Sequence, residues 1–406
     1  MANLQVEMCG ISFRNPIVIA SATPSMDAAT MKRMVDAGCG GIISKTVTFE
    51  PLLHHYVSPR FTVLHKKGWP HCFSNYSCEF LAQHEPEEWM DEMKETAEYC
   101  DKYGVGLIGS ISGDTLENWG KLARMMSETG VKGIELNFGC PHPRDLGYKS
   151  GQELGADPEA AAAVTKVVCE NTKLPVGVKV TAAAVNPLVT SEGVLKAGAS
   201  YLCVVNRFPA LEIDMTGKPI LHSSFAGVGG PWMRPIMLQW VAKHRQKFPN
   251  VPISATNGIY NWDDVIKAIM CGASTTQVCT SLMYSPKGTA MIKEYTDNMA
   301  KFMDENGYAT IEDMRNITIP QLLTWDKVDR ETKCLSVVDP EKCTGCEMCK
   351  NWCFRGPAMT YSVVNGKKVA SIDPTKCDGC GLCPSLCPAG AITLTGKTAA
   401  ALGNFR

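Results

Sequence analysis

Over the first three hundred residues, short runs of apolar and β-branched residues alternate with longer stretches whose apolar positions recur every three to four residues. The runs are 16–22 (PIVIASA), 40–46 (GGIISKT), 106–112 (GLIGSIS), 133–139 (GIELNFG), 175–180 (PVGVKV), 201–206 (YLCVVN), 252–258 (PISATNG) and 275–282 (TTQVCTSL). They are short and mostly apolar, which predicts strands covered on both faces. The intervening stretches, such as 114–130 (DTLENWGKLARMMSETG) and 262–272 (WDDVIKAIMCG), predict amphipathic helices, several closed by a glycine before the next strand. Eight strand–helix repeats predict an α/β fold, a (β/α)8 TIM barrel. A doubly wound sheet is the alternative. No G-x-G-x-x-G follows a strand, so no dinucleotide-binding fold is expected.

The pattern changes after residue 310. We expect a barrel over 1–310, a linker over 311–335 and a small α+β domain over 336–400. The last of these contains two cysteine runs, Cys343, Cys346, Cys349, Cys353 and Cys377, Cys380, Cys383, Cys387, each spaced C-x2-C-x2-C-x3-C. That spacing aims three thiolates of one loop at a cubane while the fourth serves the other cluster. Two [4Fe–4S] clusters are therefore expected. One would be held by Cys343, Cys346, Cys349 and Cys387, the other by Cys377, Cys380, Cys383 and Cys353. Zinc sites favour paired C-x2-C units instead. Between the runs, Asn365-Gly366 predicts a tight hairpin turn. The arrangement resembles a bacterial two-cluster ferredoxin, except that Phe354 stands where a proline usually follows the fourth cysteine.

Composition narrows the class. The 406 residues carry 40 Lys and Arg against 41 Asp and Glu, a net charge of −1, and no basic run that would mark a nucleic-acid face. No apolar stretch approaches the roughly 20 residues that span a bilayer. The opening MANLQVEMCG has no basic or apolar leader character. A cytoplasmic protein is expected. Of the 19 cysteines, 11 lie outside the two runs, mostly as candidates for small buried side chains.

In such barrels chemistry gathers at the C-terminal strand ends. Those ends hold Ala20, Ser21, Lys45, Thr46, Asn137, Cys140, Lys179, Asn206, Arg207, Thr256, Asn257, Gly258, Cys279, Thr280 and Ser281. Lysines, asparagines and cysteines gathered together are not a core composition. The loops after strands seven and eight, with the glycine-rich 226–230 segment carrying Gly229 and Gly230, are expected to cradle a phosphate close to backbone. Beside an iron–sulfur module this suggests a phosphorylated redox cofactor such as FMN.

The segment Glu135-Leu-Asn137-Phe-Gly-Cys140-Pro-His resembles the E-L-N-L-S-C-P signature of the dihydroorotate and dihydropyrimidine dehydrogenases. Ser44-Lys45-Thr46, Gly177-Val-Lys179, Asn206, Gly227-Val-Gly229-Gly230, Met233-Arg-Pro235 and Thr256-Asn257-Gly258-Ile259 follow in the same order. The two-cluster tail is similar to the pyrimidine-reducing part of the latter family. The resemblance implies FMN at the barrel mouth, with Lys45 and Lys179 near the flavin N1/O2 edge and Cys140 as proton donor or acceptor. It also implies Asn75, Asn137 and Asn206 as substrate ligands, and a dimer or hetero-oligomer. A thiol suits acid–base work near neutral pH.

The chain departs from that pattern in two places. Ser77 stands where the pyrimidine enzymes carry an acid, with Glu79 two residues on, and Arg207 stands where they carry a threonine. Arginine binds carboxylates bidentately, so a small unsaturated substrate bearing a carboxylate is expected, with Arg207 as a further ligand. His54, His55, Arg60, His71, His142, Arg144 and Lys149 could add positive charge. The bland reading of Arg207 is an ion pair with a nearby acid. With no dinucleotide fold, electrons would enter from a ferredoxin or from an NAD(P)H-oxidising flavoprotein subunit. A true dihydropyrimidine or dihydroorotate dehydrogenase, a non-catalytic relay subunit and a tRNA-reducing barrel remain alternatives.

Overall fold

The computed structural model describes residues 2–55, 58, 60–64, 73–140, 149–222, 225–329, 331, 334–354 and 358–395. Contacts divide the chain into two compact units, Met1–Leu322 and Leu323–Arg406.

In the first unit eight parallel strands close into a barrel: β1 (Ile17–Ile19), β2 (Gly41–Ile43), β3 (Gly106–Ile111), β4 (Gly133–Asn137), β5 (Val176–Lys179), β6 (Tyr201–Val204), β7 (Ile253–Thr256) and β8 (Thr275–Val278). Each pairs with its sequence neighbours, and β8 returns to β1 through Gln277 opposite Val18. All eight lie inside the runs expected from the sequence, and each expected run overshoots its strand at the C-terminal end. Those overhanging residues leave the hydrogen-bonded ladder and form the barrel mouth. Helices cover the outside, among them Ala28–Asp36, Pro86–Lys102, Leu116–Ser127, Pro158–Glu170 and Trp262–Met270. Side-chain caps fix several starts: Asp27 accepts from Thr30 N–H at 2.6 Å and Thr115 from Asn118 N–H at 3.1 Å.

The opposite end is closed by an N-terminal hairpin, Val6–Met8 with Ile11–Phe13. Phe13 is fully buried, and side chains at Gly41 or Gly106 would meet its ring at 2.5 and 2.7 Å, so the first residues of β2 and β3 must be glycine to seat it. Beyond the barrel strands, residues 311–322 pack onto the same unit. Ile311 and Met314 are fully buried, and Thr318 N–H donates to Met270 C=O at 3.1 Å. The stretch expected to open a linker thus begins as part of the barrel unit.

Two segments read as irregular from the sequence are strands. Ser74–Ser77 and Ala226–Gly229 pair antiparallel, flanked by Phe61–Leu64 and Phe208–Ala210, in a four-stranded sheet set on the loops after β2 and β6. Serine, asparagine and glycine carry little strand preference of their own. Here pairing between segments 150 residues apart, with Tyr76 fully buried against Ala226 and Leu221, supplies it.

The second unit has a pair formed by Leu335–Val338 and Ile392–Thr395, and a hairpin of Met359–Val364 with Lys367–Ile372. Its turn is the expected one: Asn365 (φ 51°) and Gly366 (φ 78°) are both left-handed, as a two-residue type I′ turn requires. Short helices Met348–Trp352 and Leu382–Leu386 begin after the second cysteine of each run and carry the third, Cys349 and Cys383. Among the described residues no helix is long and apolar enough to cross a membrane.

Candidate active site and cysteine cavities

A cavity opens at the C-terminal ends of the barrel strands. Its lining includes Ala20, Ser21, Lys45, Thr46, Asn75, Asn137, Cys140, Lys179, Asn206, Arg207, Thr256, Asn257, Gly258 and Thr280, which brings together most of the residues expected from the sequence. Thr46 is a hub. Its hydroxyl bonds Ser21 Oγ at 3.1 Å and Ser110 Oγ at 2.8 Å, and it accepts from Asn137 Nδ2 at 3.2 Å. Four strand ends are tied together by that one side chain.

The two lysines are held differently. Lys45 Nζ donates to Glu79 Oε1 at 2.7 Å, with side chains 4% and 8% exposed. Thr23 donates to the same oxygen at 2.7 Å. Burial alone would push the Glu79 carboxyl up. The Lys45 and Arg207 charges and the two hydrogen bonds outweigh it and hold the carboxyl at about 2. Lys179 Nζ instead donates to Gln277 Oε1 at 3.2 Å, inside the barrel. The Arg207 guanidinium donates to Ser77 Oγ, and its backbone N–H donates to Asn206 Oδ1 at 2.9 Å. The acid near Arg207 therefore acts through its field, not through a direct ion pair.

The end of β7 shows a built cradle. Asn257 (φ 76°) and Gly258 (φ 73°) are both left-handed, and a Cβ on Gly258 would lie 2.3 Å from Arg234 N. Asp264 holds this turn, accepting from Tyr260 N–H at 2.9 Å and pairing with Arg234 at 2.8 Å. Asn257 Nδ2 is buried with no partner, a donor left free in the cradle. Gly229 and Gly230 stand behind the wall: a Cβ on Gly229 would come 2.9 Å from Asn257 Oδ1, and one on Gly230 would come 2.6 Å from Phe73 C=O. Ser281 is buried one residue behind Thr280, whose hydroxyl bonds that of Tyr260. An orphaned amide donor, close-set backbone and two lysines suit a flat anionic cofactor with a phosphate.

Asn75 comes from the added sheet, where it lies opposite Gly229, and its Oδ1 accepts from the Tyr284 hydroxyl. Cys140 is 6% exposed and lines the cavity. Gly151 supports it from behind, since a Cβ there would fall 2.6 Å from Cys140 C=O, which accepts from Gln152 N–H at 3.0 Å. A second thiol in the wall, Cys279, is pushed by burial up to about 12. His54 is absent from the lining: its Nε2 meets Thr48 C=O at 3.0 Å and its Nδ1 lies 3.4 Å from Glu85. Lys149 pairs with Asp157. His71, His142 and Arg144 lie outside the described residues.

In the second unit, one cavity is lined by Cys343, Cys346, Cys349 and Cys387, and another by Cys353, Cys377, Cys380 and Cys383. Each cavity takes three cysteines of one run and the fourth of the other, the grouping that the expected ligation would need. Gly345 and Gly379 occupy matching left-handed positions two residues into each run (φ 68° in both). A Cβ there would strike Lys368 C=O at 2.6 Å or Cys334 C=O at 1.9 Å. Four thiols around each cavity form the donor set of a cubane cluster.

The pattern of the dihydroorotate dehydrogenase family matches residues 3–303, and that of the 4Fe–4S binding domain matches residues 370–393. The chain belongs to the dihydroorotate dehydrogenase family. It is 28% identical over 364 residues to the NAD-dependent dihydropyrimidine dehydrogenase subunit PreA of Escherichia coli (strain K12), covering 87% of this chain and 86% of that one. It is 29% identical over 317 residues to the dihydroorotate dehydrogenase B catalytic subunit of Pyrococcus abyssi (78% and 99%), and 30% identical over 312 residues to that of Methanocaldococcus jannaschii (77% and 96%).

As a dihydroorotate dehydrogenase-family protein the chain is a flavin-dependent oxidoreductase acting on CH–CH groups, with a 4Fe–4S motif at its C-terminal end. Three residues lining the mouth were not picked out from sequence, Ser110, Tyr260 and Gln277, nor were two that bond to its lining, Tyr284 to Asn75 and Glu135 to Gln277, the last quoted only as part of the signature. Glu135 and Gln277 had a readable signal, since a charged and an amide side chain interrupt otherwise apolar strands. Tyr260 and Tyr284 had none, because Tyr260 lies in the turn after β7 and Tyr284 ends the short helix Thr280–Tyr284, where nothing local marks a functional side chain.

Proposed function

We propose that this chain is an FMN- and iron–sulfur-dependent reductase or dehydrogenase acting on a carbon–carbon double bond, or the matching CH–CH bond, of a small cyclic or unsaturated substrate. The observation that carries the reading is one cavity lined by Cys140, four asparagines (Asn75, Asn137, Asn206 and Asn257) and two lysines. FMN supplies hydride exchange at one substrate carbon, and two [4Fe–4S] clusters supply single-electron steps between it and an external donor. Lys45 and Lys179 bring positive charge to the mouth. Asn257 Nδ2 and the Asn257–Gly258 backbone offer donors to the cofactor's phosphate end. Asn75, Asn137 and Asn206 each present a donor and an acceptor, which matches a ring amide edge. Cys140 Sγ holds or receives the proton at the neighbouring carbon. Arg207 and Lys45 would orient a substrate carboxylate.

A true dihydropyrimidine dehydrogenase is the second reading. It is favoured by Glu79, whose negative charge lies between Lys45 and Arg207 and offsets their pull on a carboxylate. Electron entry from a separate NAD(P)H-oxidising subunit, or a ferredoxin, is proposed from the absence of a dinucleotide fold in the barrel and from the subunit status of the Escherichia coli relative.

The test is anaerobic turnover of the reconstituted chain with dithionite as donor, read by substrate loss, across uracil, thymine, orotate and unsaturated cyclic acids. We expect turnover of a cyclic unsaturated compound and none with NADH as sole donor. Fast reduction of uracil and thymine alone would select the second reading. Loss of none of these substrates would leave a relay role in place of the catalytic one.

A further inference from the structure

The interior of an eight-stranded barrel is normally filled by layers of branched apolar side chains. One layer here is polar. Glu135 on β4 is 1% exposed, and its Oε2 accepts from Gln277 Nε2 on β8 at 2.8 Å, with the Tyr201 hydroxyl on β6 at 3.5 Å. Its other oxygen, Oε1, has no partner. Gln277 Oε1 in turn receives Lys179 Nζ from β5. Gly177 leaves room for the Tyr201 ring, which a Cβ would approach to 2.0 Å. Gln277 and Lys179 line the mouth cavity, whereas Glu135 and Tyr201 lie beneath it. A carboxyl buried this deeply is costly unless fully bonded.

We propose that Glu135 is a positioning residue for Lys179: through Gln277 it fixes which way the amide faces, and so holds the Lys179 ammonium at the mouth for the flavin. This rests on the flavin reading given above. An amide side chain has one donor end and one acceptor end. Glu135 Oε2 takes the NH2 end, which leaves the oxygen for Lys179. The reverse orientation would set an NH2 group against an ammonium. Burial pushes the Glu135 carboxyl up, while Lys179 and the bonds from Gln277 and Tyr201 pull it back. The other titratable groups facing Glu135, Tyr201 and Cys203 of β6, are pushed well above their ordinary range by burial and remain neutral.

The experiment uses the full chain stripped of flavin, with Glu135→Leu and Glu135→Gln beside the unsubstituted protein. FMN affinity is measured by fluorescence quenching at pH 7, and thermal unfolding is followed on the same samples. Glu135→Leu relieves a half-bonded buried carboxyl but leaves Gln277 Nε2 without its acceptor, so its melting temperature should stay close to that of the unsubstituted chain. It should nevertheless bind FMN about tenfold more weakly, as a charge-assisted contact is lost. Glu135→Gln can still accept from Gln277. It should keep the affinity within about threefold. Unchanged affinity in Glu135→Leu, or an equal loss in Glu135→Leu and Glu135→Gln, would overturn the proposal. Should Glu135→Leu fail to fold, a folded Glu135→Gln chain that binds FMN about tenfold more weakly would overturn it. Failure of the unsubstituted chain to bind FMN would instead remove the flavin reading itself.

Discussion

Lys45 and Glu79 form a buried ion pair, Nζ to Oε1 at 2.7 Å, in which each side chain is less than a tenth exposed. Removing one member of such a pair leaves the other charged and desolvated, at a cost of about 3–5 kcal/mol. Glu79→Gln should lose stability of that order at pH 7 in urea unfolding. The pH dependence follows from the depressed carboxyl, at about 2 against an ordinary value of 4.5. The folded chain binds its proton more weakly than the unfolded chain, so the stabilisation is present above about 4.5 and is lost as pH falls toward 2. The gap between Glu79→Gln and the unsubstituted chain should therefore narrow over that window. A constant gap from pH 6 to pH 3 would show that ionisation of Glu79 is not the source of the stabilisation.

Cys140→Ser separates catalysis from scaffold. The hydroxyl fits the same 6% exposed position but gives up its proton far less readily. Substrate reduction by dithionite-reduced chain should slow by roughly 10²–10⁴-fold, the usual worth of a placed acid or base. Melting temperature and flavin absorbance should not move. An unchanged rate would support the relay role.

Much of this was legible in sequence because two periodicities are strong. The eight apolar runs mark both-faces-buried strands, and the four-cysteine spacing constrains loop geometry tightly enough to suggest an exchange of Cys353 and Cys387 between runs, the grouping in which the two cavities set them. The strand ends were also legible, since Lys45 and Lys179 sit where a core residue would be apolar. The sheet bearing Asn75 was not. Its strands are rich in serine and glycine, and their pairing joins residues 74–77 to 226–229. Nothing local records such a contact. The chain Lys179–Gln277–Glu135 was hidden for a related reason: register across three strands decides which polar side chains meet.

Interleaved cavities make a specific statement about iron. With two cubanes the chain should hold about eight iron atoms. Cys353→Ser and Cys377→Ser, from different runs, should damage the same cluster, and Cys349→Ser the other. Anaerobic iron analysis and electron paramagnetic resonance of the reduced proteins would check this. Cys353→Ser together with Cys377→Ser should retain about four iron atoms, whereas Cys353→Ser together with Cys349→Ser should lose both signals. The opposite pairing would mean that each run serves its own cluster.

Asn257 tests the cradle directly. Its backbone is left-handed, a conformation that aspartate also tolerates, and its Nδ2 is buried without a partner. Asn257→Asp keeps the shape but replaces the free donor with an acceptor that carries negative charge. Facing a phosphate, that change removes a hydrogen bond to a charged group and adds repulsion, together about 2–3 kcal/mol. FMN affinity should fall roughly 30- to 150-fold, more at low salt than at high salt because the repulsive part is screened. Riboflavin, which lacks the phosphate, should bind Asn257→Asp and the unsubstituted chain alike. Equal losses for FMN and riboflavin would move the phosphate site away from β7, and Asn257 would then have to face the ring.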